Sequence, residues 1–167
     1  MAQVQGYDKK EIVKRKQTYI LGVSVVYMMQ IISGFSADTA AVSKGKSYIL
    51  AKLCEGIIQK LTAPFFSYDR VVLTRELVNF IRKCAHALEF FLLASLFMAF
   101  VRAVTGKTKQ KFAALMSILF AFFDEFHQAF VPGRAPSFFD VAIDSVGIII
   151  AVVALHCFFR RNTYNII

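Results

Sequence analysis

The chain is expected to fold as an all-α polytopic membrane protein, with four transmembrane helices and an amphipathic helix lying in the interface plane of the first extracytoplasmic segment. Three observations predict this. Of the 167 residues, 57% are hydrophobic and 18 are Phe, and the mean hydropathy of +0.55 lies well above that of a soluble domain. The apolar residues gather into long runs separated by short polar breaks, and the cations cluster beside those runs. A net charge of +9 invites a nucleic-acid reading, but no basic helix with interleaved stacking aromatics is present, so nucleic acid is not an expected partner. Three cysteines, Cys54, Cys84 and Cys157, form no Cys-x-x-Cys and read as small apolar side chains.

Residues 1–17 form a basic tail, with Lys9, Lys10, Lys14, Arg15 and Lys16 leading into the first span, 18–35. The run is too long for the apolar region of a signal peptide, and Ser36-Ala37-Asp38-Thr39-Ala40 is a poor cleavage site, so it is read as an uncleaved helix. Between 36 and 73, Ile49, Leu50, Leu53, Ile57, Ile58 and Leu61 recur at helical spacing with Lys46, Lys52, Glu55 and Lys60 between them, the pattern of an interfacial helix. Pro64 to Asp69 breaks it, and Ser67, Asp69 and Thr74 are candidate caps for a helix starting near Thr74.

That helix crosses the bilayer over about 84–101, with Arg82, His86 and Glu89 on one face near its beginning. A basic loop with Arg102, Lys107, Lys109 and Lys111 leads to the third span, 112–131, which as a helix is about 30 Å long. Its last turns hold Asp124, Glu125, His127 and Gln128. Pro132-Gly133 makes the turn, and the fourth span, 137–158, carries Asp140 and Asp144 before the closing tail 159–167. Residues 18–158 are thus a single transmembrane domain. The 102–111 loop holds four cations and the Pro-Gly-Arg loop one, which places the former inside and gives an N-in, C-in, multi-pass topology.

This topology sets Arg82, Lys83, His86, Glu89, Asp124, Glu125, His127, Gln128, Arg134, Asp140 and Asp144 at one depth in the outer half of the bilayer. Ionisable groups there must pair or face a wet cavity. A stripe of Asp140, Asp144, Gly147, Ala151 and Ala154, small in its lower half, lets helices approach closely and turns both carboxylates into the bundle. Arg134 is read either as a donor fork for a phosphate or carboxylate ligand or as the salt-bridge partner of Asp140. The plain reading of His86 and His127 is pairing to a neighbouring carboxylate, and that of the whole cluster is an ion-pair lock between three helices.

Three blocks of residues carry a resemblance. They are Gly34-Phe35-Ser36 with Ser43, then Arg82-Lys83-Cys84-Ala85-His86 with Glu89, then Asp124-Glu125-x-His127-Gln128-x-Phe130-x-Pro132-Gly133-Arg134 followed by Asp140, Asp144 and Gly147. Together they resemble the VanZ-like family of small bacterial membrane proteins. The chain departs from the family pattern at Ala87 and Phe90, where an aromatic and a tyrosine are usual, and at Ser36-Ala37-Asp38. The resemblance implies a place in the bacterial cytoplasmic membrane and a link to resistance against teicoplanin, a lipid-bearing glycopeptide, or to cell-envelope function.

Three functions compete. The first is a non-enzymatic pocket for an amphiphile: an outer-leaflet lipid, a lipoglycopeptide or a cell-wall precursor, with Arg82, Lys83 and Arg134 at its rim. The second is an intramembrane hydrolase of a lipid-linked substrate, with catalytic candidates His86, Glu89, Asp124, Glu125, His127, Asp140 and Asp144. It works by acid/base chemistry or through a divalent metal held by His86, Asp124, His127 and Asp144. No cofactor is otherwise expected, and no His-Glu-x-x-His spacing occurs. The third is a proton-coupled transporter that uses the same charges as a relay.

Overall fold

The computed structural model describes residues 9–62 and 67–164, and these form five helices with no strand among them: α1 Lys9–Ser36, α2 Ala40–Thr62, α3 Arg70–Thr105, α4 Gln110–Gln128 and α5 Phe138–Tyr164. The ends of both tails and residues 63–66 of the expected break lie outside the described residues. Helices α1, α3 and α5 are long and apolar enough to cross a membrane. At its N-terminal end α1 starts nine residues earlier than the apolar run, at Lys9. Lys14, Arg15 and Lys16 therefore ride on the helix that enters the bilayer, with Arg15 pairing Glu11 one turn back at 3.0 Å.

Helix α3 is the axis. It touches each of the other four helices, and its 36 residues, about 54 Å, exceed the roughly 30 Å of a hydrocarbon core. It begins at Arg70, a turn before Thr74, because Asp69 caps it: the Asp69 carboxylate accepts from the amides of Val71 at 2.7 Å and Val72 at 3.3 Å. Thr74, the rival cap, is instead buried within the helix and donates to the Arg70 carbonyl at 2.8 Å.

Around the inner part of α3 the helices alternate in direction. Gly22 of α1 lies against Phe100 and Phe35 shares a cleft with Glu89, so α1 runs antiparallel to α3. Asp140 lines one cavity with Arg82 and Gly147 meets Ala87, so α5 runs parallel to it. Helix α4 joins Gln110 to His156 of α5 at one end and Asp124 to Ser36 of α1 at the other, antiparallel to α5. The shared core is built from Ile32, Phe90, Leu93, Ala121, Ile148 and Ala151 with their neighbours, and the Phe90 and Phe120 rings sit 6.1 Å apart.

Many large apolar side chains lie on the surface. On α4, Leu115, Leu119, Phe122 and Phe126 recur at helical spacing, and each is about half exposed or more. The buried residues, by contrast, include Ser36, Ser117, Asp124, Glu125, Gln128 and Asp144. Apolar side chains turned outward, with polar groups buried among the core residues, is the arrangement that a hydrocarbon solvent selects.

Helix α2 packs along the outer part of α3, with Lys44 level with Asn79 and Lys52 level with Val71. It buries Ala51 and Glu55, while Ile49, Leu50, Leu53, Ile57 and Leu61 face away from the bundle. Its apolar stripe is therefore the free face. Glu55 is held by Arg70 at 3.3 Å and Lys52 at 3.6 Å.

Candidate functional site

Two backbone features position the site. At Gly147 the α5 backbone is pressed against α3: a Cβ there would lie 1.9 Å from the Ala87 carbonyl oxygen and 2.8 Å from its carbon. Glycine is the one residue this approach admits, and it draws Asp144, one turn away on α5, into the interior beside α3. The expected small-residue stripe holds through Ala151, fully buried, and ends before Ala154, which is exposed. At the other corner, Gly133 takes a φ of 77°, a left-handed turn conformation, and sends the chain from α4 back into α5 with Arg134 facing inward.

Arg134 is a strut. Its Nε donates to the Asp38 carbonyl at 2.9 Å, one terminal nitrogen to Gln128 Oε1 at 2.6 Å and the other to the Phe35 carbonyl at 3.4 Å. Neither reading of Arg134 from the sequence included these partners, and Asp140 is not among them. Burial, and next the nearby Arg82 guanidinium, lower the Arg134 pKa from the ordinary arginine value, against the pull of Asp124 and Asp38. Behind it, Gln128 donates to Asp124 Oδ2 at 2.9 Å and to Ser36 Oγ at 3.1 Å, and the Ser36 hydroxyl donates to Asp124 Oδ2 at 2.6 Å. The four side chains lock the end of α1 onto the end of α4.

Glu125 turns away from Asp124, as a hundred-degree step along the helix requires. It accepts a short hydrogen bond from the Ser137 backbone amide, closing the start of α5. His86 Nδ1 lies 3.6 Å from Glu89 Oε2, an ion-pair distance. Lys83 sits over the Phe139 ring, 4.5 Å from its centroid.

Among these groups opens a cavity of about 250 Å³, lined by Lys44, Asn79, Arg82, His86, Arg134 and Asp140 among others. Of the residues singled out in the sequence, it unites Arg82, His86, Gln128, Arg134 and Asp140. Glu89 and Asp144 lie in clefts that share Arg82 and His86 with it. Glu125 and His127 do not line it. Three cations, Lys44, Arg82 and Arg134, face one carboxylate, Asp140. Each nitrogen of Arg134 already donates one hydrogen bond, whereas neither Lys44 nor Arg82 makes a hydrogen bond or ion pair among the described residues.

Deeper in, Asp124 Oδ1, Asp144 Oδ1, Glu89 Oε2 and His127 Nδ1 are buried without a hydrogen-bond partner among the described residues. No group of three His, Cys, Asp or Glu side chains is arranged among those residues to hold a metal ion.

Ser36, Lys44 and Asn79 had not been singled out as site residues. Signals for two of them existed: Asn79 stands three residues before Arg82 and seven before His86, on the same helical face, and Lys44 is the first cation after the first span. Ser36 stands at the end of an apolar run and in the Gly34-Phe35-Ser36 block of the resemblance, with nothing beside it that names a partner.

Comparison with known proteins gives no match among curated proteins and none among solved structures. The VanZ/LLP1 family model matches residues 19–160, which takes in every side chain of the cavity and of the lock behind it. By that match, over most of its length, the chain belongs to the VanZ/LLP1 family.

Proposed function

We propose that the protein is a four-span protein of the bacterial cytoplasmic membrane, N-in and C-in, whose cavity at Arg82 binds the anionic headgroup of an amphiphile from the outer leaflet. The fourth span in this reading is α4. It lies alongside α3 and α5 and turns a full-length apolar stripe outward, which supports its crossing with them despite Lys111, Asp124 and Glu125. In the cell the binding would serve cell-envelope function or resistance to lipoglycopeptides of the teicoplanin type, as the family's name-giving property suggests.

One observation carries the proposal: Lys44 and Arg82, cations without a partner among the described residues, line the same cavity as a guanidinium fixed in place. A phosphate or carboxylate in that cavity would gain charge-assisted hydrogen bonds from donors whose geometry is partly set in advance. The rival hydrolase and transporter readings would use the buried carboxylates instead. The metal-dependent version needs a ligand set, and none is gathered among the described residues.

The test is titration of phosphatidic acid against the full chain in phosphatidylcholine nanodiscs, read by native mass spectrometry. Saturable binding is expected, weakened at least tenfold in Arg82→Gln and Lys44→Gln, with the melting temperature unchanged because neither side chain holds the fold. Binding that ignores both substitutions would sink the proposal. A companion assay compares teicoplanin sensitivity of cells expressing the wild type and Arg82→Gln.

A further inference from the structure

The outward face of α1 carries polar groups where a membrane offers them nothing. Tyr19, Val23, Val26, Gln30 and Gly34 are exposed at steps of four, three, four and four, with exposed Tyr27 beside them, so they form one stripe along the helix. Within the apolar run 18–35, Tyr27 stands about 14 Å past Thr18 and Gln30 about 18 Å, both inside the hydrocarbon that this span crosses. Neither the Tyr27 hydroxyl nor the Gln30 amide makes a hydrogen bond among the described residues. Lipid tails hold no donors or acceptors, so both groups stay bare unless another helix supplies a partner. Beside the stripe, α1 and α3 leave a hollow of about 490 Å³, lined by Gly22, Val23, Val26, Tyr27, Gln30 and Phe100 among others. Gly22 keeps it open: a Cβ there would stand 3.1 Å from the Phe100 ring.

We infer that this face binds a second copy of the chain, α1 against α1, in a parallel twofold dimer whose Gln30 amides bond to each other. Two copies inserted with the same topology bring equal depths together, so a twofold axis along the membrane normal sets Gln30 opposite Gln30. A carboxamide carries both donors and an acceptor, and is complementary to itself. The spacing of Tyr19, Val23, Val26 and Gln30 averages about 3.5 residues, the period of a left-handed helix pair. Ridge and hollow are also self-complementary, since the tyrosines of each copy face the hollow of the other. Residues 17–37 contain no Asp, Glu, Lys, Arg or His, so the net charge of +9 opposes no contact inside the membrane. Lys14, Arg15 and Lys16 meet outside it, in water, where salt screens them. An anionic headgroup finds no cation on this stripe, and a different protein would need an amide at the same depth that a second copy has by symmetry. The hollow shares no lining residue with the cavity at Arg82, so each copy keeps its own cavity, and the inference stands apart from the headgroup reading.

The test is single-molecule photobleaching of the fluorophore-tagged full chain in phosphatidylcholine liposomes over a range of protein-to-lipid ratios. Dimers are expected to rise with that ratio. Gln30→Leu, which keeps the span apolar, should need about a tenfold higher ratio to reach the same dimer fraction. Its melting temperature under monomeric conditions should be unchanged, because Gln30 bonds to nothing within the chain. A second measurement identifies the face. With Cys54, Cys84 and Cys157 replaced by alanine, Val23→Cys or Val26→Cys should give a disulfide-linked dimer on oxidation, whereas Leu119→Cys, on the outward stripe of α4, should not.

Monomers at every ratio would overturn the inference, as would a dimer indifferent to Gln30→Leu. Cross-linking through Leu119→Cys and not through α1 would move the interface elsewhere and overturn it too. In cell membranes, a Val23→Cys chain that links to a different protein and never to itself would assign the face to that other partner, and the dimer would fall.

Discussion

Replacing Gly147 by alanine puts a methyl group where the Ala87 carbonyl oxygen already stands. The new Cβ would lie 1.9 Å from that oxygen, roughly 1.5 Å inside an ordinary contact, so α3 and α5 must part by about that much. The obstacle is backbone on both sides, and no rotamer relieves it. Overpacking of a tight core costs about 1–3 kcal/mol, occasionally more, and a gap of ~1 Å forfeits up to about half of each dispersion contact along the seam. Ile148 and Ala151, both buried on α5, lie on that seam.

We therefore expect a loss of about 3 kcal/mol or more. For a chain of this size that corresponds to a fall of roughly 6–12 °C in melting temperature by the scaling of soluble domains. Thermal unfolding of the purified protein in one detergent measures it. The companion variant Ala87→Gly should give no rescue, because the clash is with a carbonyl and not with the alanine methyl. A Gly147→Ala protein that accumulates and melts like the wild type, or one restored by Ala87→Gly, would refute the reasoning.

Substitutions at three further positions test the lock and the helix ends. Asp124→Ala removes the acceptor for Ser36 and Gln128. It should cost about 1–3 kcal/mol for each donor left bare, and thermal melting equal to wild type would contradict the network. Glu125→Ala should lose about 1 kcal/mol by exposing the Ser137 amide, whereas Glu125→Gln, which keeps an acceptor oxygen, should melt close to wild type. If both behave alike, the bond to Ser137 contributes nothing. Asp69→Ala should cost about 1 kcal/mol and speed hydrogen exchange at the amides of Val71 and Val72, with exchange rates unchanged counting against the cap.

The helical class and the family were legible because hydrocarbon imposes composition over long runs, and because the block from Asp124 to Gly147 gathers so many polar residues between two apolar segments. Helical periodicity also determined that Asp124 and Gln128 would share a buried face and that Glu125 would point elsewhere. What could not be read was the partner across space. Arg134 bonds to the carbonyls of Phe35 and Asp38, almost a hundred residues away, and backbone acceptors carry no mark in a sequence. Ser36 belongs to a block of the resemblance, but its partners Asp124 and Gln128, some ninety residues on, carry no mark in the sequence either. The α2 pattern gave a helix and its apolar stripe, but not which side would meet α3. A small residue, Ala51, and a carboxylate with a nearby arginine, Glu55, form that contact, and aliphatic side chains were the more obvious candidates.

The 36 residues of α3 contain neither glycine nor proline, so nothing along that rod offers a hinge. The segment that carries α2 and the segment that carries the buried core are the same rigid body. A push on α2 therefore has an unbroken helical path through α3 to Phe90, Met98 and the loop at Gly106. For a chain this small, that gives one face of the membrane a mechanical line to the other through a single lever.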